Sequence, residues 1–153
     1  MAMIPMRVKL MALDSSSTEF AVFLSDRQDK RTFPIWIGPL EATAIALQLN
    51  NIQTHRPMTH DLIQNILTTF GSKVERIEVV DLKSRIFYAL IHISTGEEII
   101  AVDARPSDAI ALALTTDAPI YVSDVVLSKA EKIGTDPDDW LGRLKPEDFK
   151  SRA

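Results

Sequence analysis

The sequence predicts an α+β fold, one soluble domain made of two diverged copies of a unit in which strands lead into helices. Three observations carry this. Stretches that alternate apolar and polar residues precede stretches with the 3.6-residue helical period. Two helical runs, Ala44-Ile45-Ala46-Leu47-Gln48-Leu49 and Ala109-Ile110-Ala111-Leu112-Ala113-Leu114, share five of six residues 65 positions apart. Their surroundings repeat in order as well. Each run follows a hairpin and a proline near the helix start, and each precedes a second proline, Pro57 or Pro119. Thr59-His60-Asp61 and Val122-Ser123-Asp124 then open further helices. Shared order at nearly constant spacing is what duplication leaves behind. Two copies predict a closed globule with a shared, mainly antiparallel sheet rather than a solenoid.

Each element has its own signal. Val8, Leu10 and Ala12 alternate as a half-buried strand, Asp14 to Ser17 is a loop, and Phe20, Val22 and Leu24 restart the alternation. Phe33 to Ile37 returns, and Pro34 places it at a sheet edge because proline has no N–H for a ladder. Gly38-Pro39 opens a helix in which Ala42, Ile45, Ala46 and Leu49 form one stripe. After a polar link, Thr59 is the expected N-cap of a second helix carrying Leu62, Ile63, Ile66, Leu67 and Phe70, and Gly71 is its left-handed stop. Val74 to Leu82 is rich in β-branched residues and reads as a strand. Ile86 to Ile93 and Glu97 to Val102 flank Thr95-Gly96 as a hairpin. Pro106 opens a third helix, Ile120 to Val122 is a short strand, and a fourth helix runs from Ser123-Asp124 to Gly134. Residues 1–134 form the domain, and 135–153 are expected to be a tail packed by Trp140, Leu141, Leu144 and Phe149.

Composition narrows the function classes. A chain of 153 residues, 46% hydrophobic, can bury a core without staples; at this size roughly 70% of the unfolded surface is removed from water. The absence of cysteine excludes a disulfide scaffold, a thiolate metal site and a cysteine nucleophile, and suits the cytoplasm, where the protein is expected. Met1 to Lys9 carries no signal-peptide pattern, and no stretch approaches the ~20 apolar residues of a membrane span. A net charge of −4 counts against a sequence-tolerant nucleic-acid coat. It leaves room for an enzyme on nucleic acid whose carboxylates hold a divalent cation.

Glycine-rich phosphate loops, GxSxG and HExxH are all missing. Two polar clusters remain, each at a helix start. Asp103-Ala104-Arg105-Pro106-Ser107-Asp108 joins a strand end to a helix. One account is structural: Asp103 or Ser107 caps, Pro106 takes the first turn and Asp108 meets the positive helix end. The other joins two carboxylates, a guanidinium and free helix N–H groups into a place for a metal and a phosphate. Arg56-Pro57-Met58-Thr59-His60-Asp61 is either a Thr59 cap with Asp61 in the first turn, or a site with His60 as general acid or base and Arg56 on a phosphate. Duplication adds Glu41 and Asp124 as positional equivalents. Asp103 and Arg105 are expected to share a charge-assisted hydrogen bond. His92, between Ile91 and Ile93, is expected to face solvent or a neighbouring side chain.

Ile35-Trp36-Ile37-Gly38 with Glu41-Ala42, then Arg56-Pro57-Met58-Thr59-His60-Asp61-Leu62, then Asp103 through Ala113 resemble the bifunctional nuclease (DNase/RNase) domain family, from about Met6 to Leu127. The resemblance implies hydrolysis of both DNA and RNA by a self-associating α+β domain. The candidate site is the polar part of those motifs. His60, Asp61, Asp103, Arg105 and Asp108 would be catalytic, and Arg56, Thr59 and Ser107 would bind substrate. Mg²⁺ or Mn²⁺ would sit on Asp103 and Asp108. The alternative class is a non-catalytic module that holds an anion or a partner on the same helix ends. Sheet edges and the apolar Met3, Ile4 and Met6 predict a homo-oligomer, a dimer first of all.

Overall fold

Alternation builds a first antiparallel meander of β1 (Met3–Asp14), β2 (Glu19–Asp26) and β3 (Thr32–Ile37). Neighbouring β2 residues serve opposite faces. Val22 and Leu24 enter the main core, while Ala21 and Phe23 join Ala12 in a smaller cluster on the other side. α1 (Pro39–Leu49) begins at Pro39 and buries Ala42 and Ile45. α2 (Thr59–Thr69) follows, closed by a Schellman arrangement in which Gly71 (φ +70°) and Ser72 donate to the carbonyls of Thr68 and Leu67.

A second meander, β4 (Lys73–Lys83), β5 (Ile86–Ser94) and β6 (Ile99–Ala104), leads into α3 (Pro106–Thr116), β7 (Ile120–Ser123) and α4 (Asp124–Lys132). The computed structural model describes residues 1–14 and 19–132; the expected tail, 135–153, lies outside them. The seven strands form one sheet in the order β3-β2-β1-β7-β4-β5-β6. It is antiparallel except where β7 runs parallel to β4. The result is a single α+β domain with four helices among the described residues. None of those helices is long and apolar enough to cross a membrane.

The repeat differs in detail from its sequence form. The sequence sets the halves at about Glu19 to Phe70 and Arg85 to Ile133, whereas each structural unit starts one strand earlier, at β1 or β4, and only the second has a strand between its helices. The near-identical runs are out of step, since Ala44 is the sixth residue of α1 and Ala109 the fourth of α3. What coincides is the helix start, with proline first and an acid third: Pro39 with Glu41, Pro106 with Asp108. Alanine and leucine fill any buried helix, so their identity carried less than the starts did.

α3 is the central helix. Ala109 through Ala113 are all buried, as expected of a helix apolar on every side, and α1 and α2 both pack against it. α2 has no buried residue and leaves Leu62, Ile66 and Phe70 exposed. β3 holds one sheet edge, where Pro34 placed it, and β6 holds the other. β1 is interior, so Met6 is buried and Met3 and Ile4 are half-buried against β7. The apolar N-terminal residues expected to need a second copy are thus partly covered by the chain itself.

Candidate functional site

Three helix starts bring the charged side chains together. Arg105 ends the extended backbone after β6 and is the N-cap of α3 (φ −67°, ψ 143°). Its Nε donates to Asp108 Oδ2 at 2.8 Å, and its Nη1 donates to Glu41 Oε1 at 2.8 Å. Asp108 Oδ1 lies 3.3 Å from His60 Nε2 on α2. Glu41, Arg105, Asp108 and His60 therefore form one chain of contacts across α1, α3 and α2. Gly38 makes room for it, because a Cβ there would stand 2.6 Å from Glu41 Oε2. Burial pushes the Asp108 carboxyl up, yet the hydrogen bond and charge of Arg105, with His60 behind them, outweigh it and hold it below its ordinary value. Arg105 is raised in turn, first by its hydrogen bond to Asp108.

His60 also lines a cavity of about 410 Å³. The walls are the end of α1, the link 50–58, the start of α2 and Thr115 of α3, with Gln48, His55, Arg56 and Asp61 among the polar lining. The His60 side chain is 13% exposed, so the ring is sheltered between the carboxylate and this opening.

The expected site residues separate on this geometry. His60, Arg105, Asp108 and Glu41 are assembled, and Arg56 and Asp61 line the adjoining cavity. Asp61 has structural work there: its Oδ2 accepts the Met58 N–H at 2.9 Å. That cap replaces the Thr59 cap, since α2 starts with Thr59 already helical and Met58 as N-cap. Neither Asp103 nor Ser107 caps α3. The expected Asp103–Arg105 bond is absent among the described residues, for a reason of strand geometry. Asp103 sits opposite Leu90, on the face away from Ala89 and Ile91 of the core, so it points away from the helices. Ser107 is 7% exposed and cannot meet a large substrate. Asp124 stands at the β7–α4 junction, where its N–H donates to Ala2, and pairs with none of the cluster. His55 and Gln48 were not singled out by sequence; their only signal was polarity close to a motif.

A divalent cation wants several oxygens converging on one point. Among the described residues no three His, Cys, Asp or Glu side chains do so. Asp103 faces away, and both oxygens of Asp108 are engaged. The guanidinium of Arg105 already occupies the space between Glu41 and Asp108 that a metal would take. The donor set does not fit the cation expected on Asp103 and Asp108.

Comparison with known proteins agrees with the motifs. Residues 22–134 match the model of the bifunctional nuclease domain. The chain is 33% identical over 162 residues to an uncharacterized protein of Mycobacterium tuberculosis, covering 95% of this chain and 97% of that one. It is 26% identical to bifunctional nuclease 1 of Oryza sativa subsp. indica over 59% of this chain and 28% of the rice protein. The corresponding protein of Arabidopsis thaliana is 25% identical over 59% of this chain and 29% of its own length. With the family model spanning residues 22–134, most of the sequence, this chain belongs to the bifunctional nuclease domain family.

Proposed function

We propose that the chain hydrolyses phosphodiester bonds in DNA and RNA, with His60 as the general base and Asp108 holding it in place. The observation that carries this is the 3.3 Å approach of Asp108 to His60 at the wall of the cavity lined by Arg56. When Nε2–H is donated to Asp108, the free lone pair of the ring is on Nδ1, and a carboxylate behind an imidazole fixes that tautomer. Nδ1 takes a proton from the attacking group. A single site that cuts both polymers must use water for that attack, because DNA has no 2′-hydroxyl. Arg56 is the phosphate contact. Arg105 lies between two carboxylates and acts by fixing Asp108.

The second reading, an anion- or partner-binding module that cuts nothing, draws on the cavity lined by Arg56 and His55, since Arg105 is already held by two carboxylates. Incubation of purified protein with single-stranded RNA and DNA, in chelator and in Mg²⁺ or Mn²⁺, separates the two. Cleavage in chelator that is lost in His60→Ala supports the proposal. Cleavage only with metal would call for a cation that rearranges Arg105. Retention of the polymer without cleavage would favour the binding module.

A further inference from the structure

We propose that two copies of this chain pair antiparallel through β6, about a two-fold axis at Ala101, joining their sheets into one. The two sheet edges differ in kind. β3 has Pro34 and four buried residues. In β6 every residue before Ala104 is exposed, including Ile99 (52%), Ile100 (43%) and Val102 (41%). Proline and lysine, the usual guards of an edge, are missing from Ile99–Ala104. A β-branched edge without guards is suited to pairing with another strand.

The strand's own sequence makes its twin the partner and sets the register. In an antiparallel pair, residues directly opposite share the same hydrogen-bonding state. Two copies of one strand can therefore meet only with the axis on a residue, never between two. An axis on Ile100 sets Glu97 against Asp103 twice, joining like charges. An axis on Val102 sets Ile99 against Arg105 and Glu98 against Pro106, so the acidic turn meets no cation. The axis on Ala101 pairs Ile100 with Val102 twice and Ile99 with Asp103 twice, and sets Glu97 against Arg105. It also brings the acidic turn Glu97-Glu98 of each copy beside Arg105 of the other, whose side chain is 64% exposed. The second copy thus adds opposite charge at the rim of the candidate site.

A strand pair alone is smaller than the ~1,600 Å² of a standard interface. Further apolar surface is exposed at Leu62 and Ile66 of α2 and at its C-cap Phe70. The pairing does not depend on hydrolysis, so each reading can fail without the other.

The chain has no cysteine, which makes a single introduced thiol a clean reporter. Light scattering of the full chain at micromolar concentration should give a dimer, and Ile100→Lys, at an exposed position, should give a folded monomer by circular dichroism. Under mild oxidation Ala101→Cys should cross-link faster than Ile100→Cys or Val102→Cys, because only residue 101 meets itself. A monomeric parent chain would overturn the proposal. So would a dimer untouched by Ile100→Lys, or one that cross-links best through residue 100 or 102.

Discussion

Arg105 shows at the level of one side chain how this family's motifs are joined. It bridges Asp108 and Glu41, residues 67 positions apart, and so ties the third residue of α3 to the third residue of α1. If His60 is the base, His60→Ala should lower hydrolysis of RNA and DNA by roughly 10²-fold or more, the ordinary worth of a positioned acid–base group. Asp108→Asn should cost about tenfold, or 1.4 kcal/mol in the barrier. Adding it to His60→Ala should cost nothing further, because the two act as a unit. Rates of the two singles and the double check this, and additive losses would separate Asp108 from His60. Gly38→Ala is the subtler change. Its methyl would push the Glu41 carboxylate off its place, so the rate should fall a few-fold while Tm barely moves. The polar residues of this site were legible in sequence because they cluster at helix starts. Asp103 misled because neighbouring residues of a strand face opposite ways, and the sequence does not say which side the helices cover.

Helices and turns were mostly legible, and their chemistry explains where reading failed. Thr59 looked like the cap of α2, but Asp61 does that work from the third position, reaching back to Met58. Asp61→Ala should therefore lower stability by about 1 kcal/mol, seen as a Tm lower by a few degrees, and leave the chemical step on saturating substrate intact. A large loss of rate at unchanged Tm would instead place Asp61 in the chemistry. The place of the turn between β4 and β5 was legible, but its type was not. Ser84 (φ 50°) and Arg85 (φ 65°) are both left-handed, the shape of a type I′ turn, without the asparagine or glycine that announces one. The double change Ser84→Asn with Arg85→Gly supplies that pair and should relieve roughly 1 kcal/mol of backbone cost. Thermal melting should register it as a rise of a few degrees.

The whole molecule is a central sheet carrying two meanders, with β7 inserted between them, and its ion pairs join parts distant in sequence. Duplication was legible as an order of elements; the insertion of β7 beside β4 was not, because periodicity cannot choose a strand's neighbours. Lys129 of α4 reaches Asp81 of β4 at 2.7 Å, and Lys83 adds a second contact. The Lys129 hydrogen bond, then the Leu82 N–H, hold the Asp81 carboxyl at about 2. Arg105 and His60 depress Asp108 against the pull of burial, and Arg76 and His92 do the same for Glu78. All three groups give up their protons more readily folded than unfolded. Between the ordinary carboxylate range near pH 4 and about pH 2 the unfolded chain consequently binds more protons than the folded one. Stability must fall as pH drops through that window and be flat above it with respect to these groups. Urea midpoints measured from pH 6 down to pH 2.5 should show the decline beginning near pH 4. Asp81→Asn should shallow it while leaving hydrolysis at neutral pH unchanged, since the Asp81–Lys129 contact ties β4 to α4 and lies outside the His60 site. A decline of the same slope in Asp81→Asn would assign acid sensitivity to the other depressed carboxylates, Asp29, Glu78 and Asp108. Asp108→Asn then tells whether the site that positions His60 is also the part of the molecule that acid loosens first.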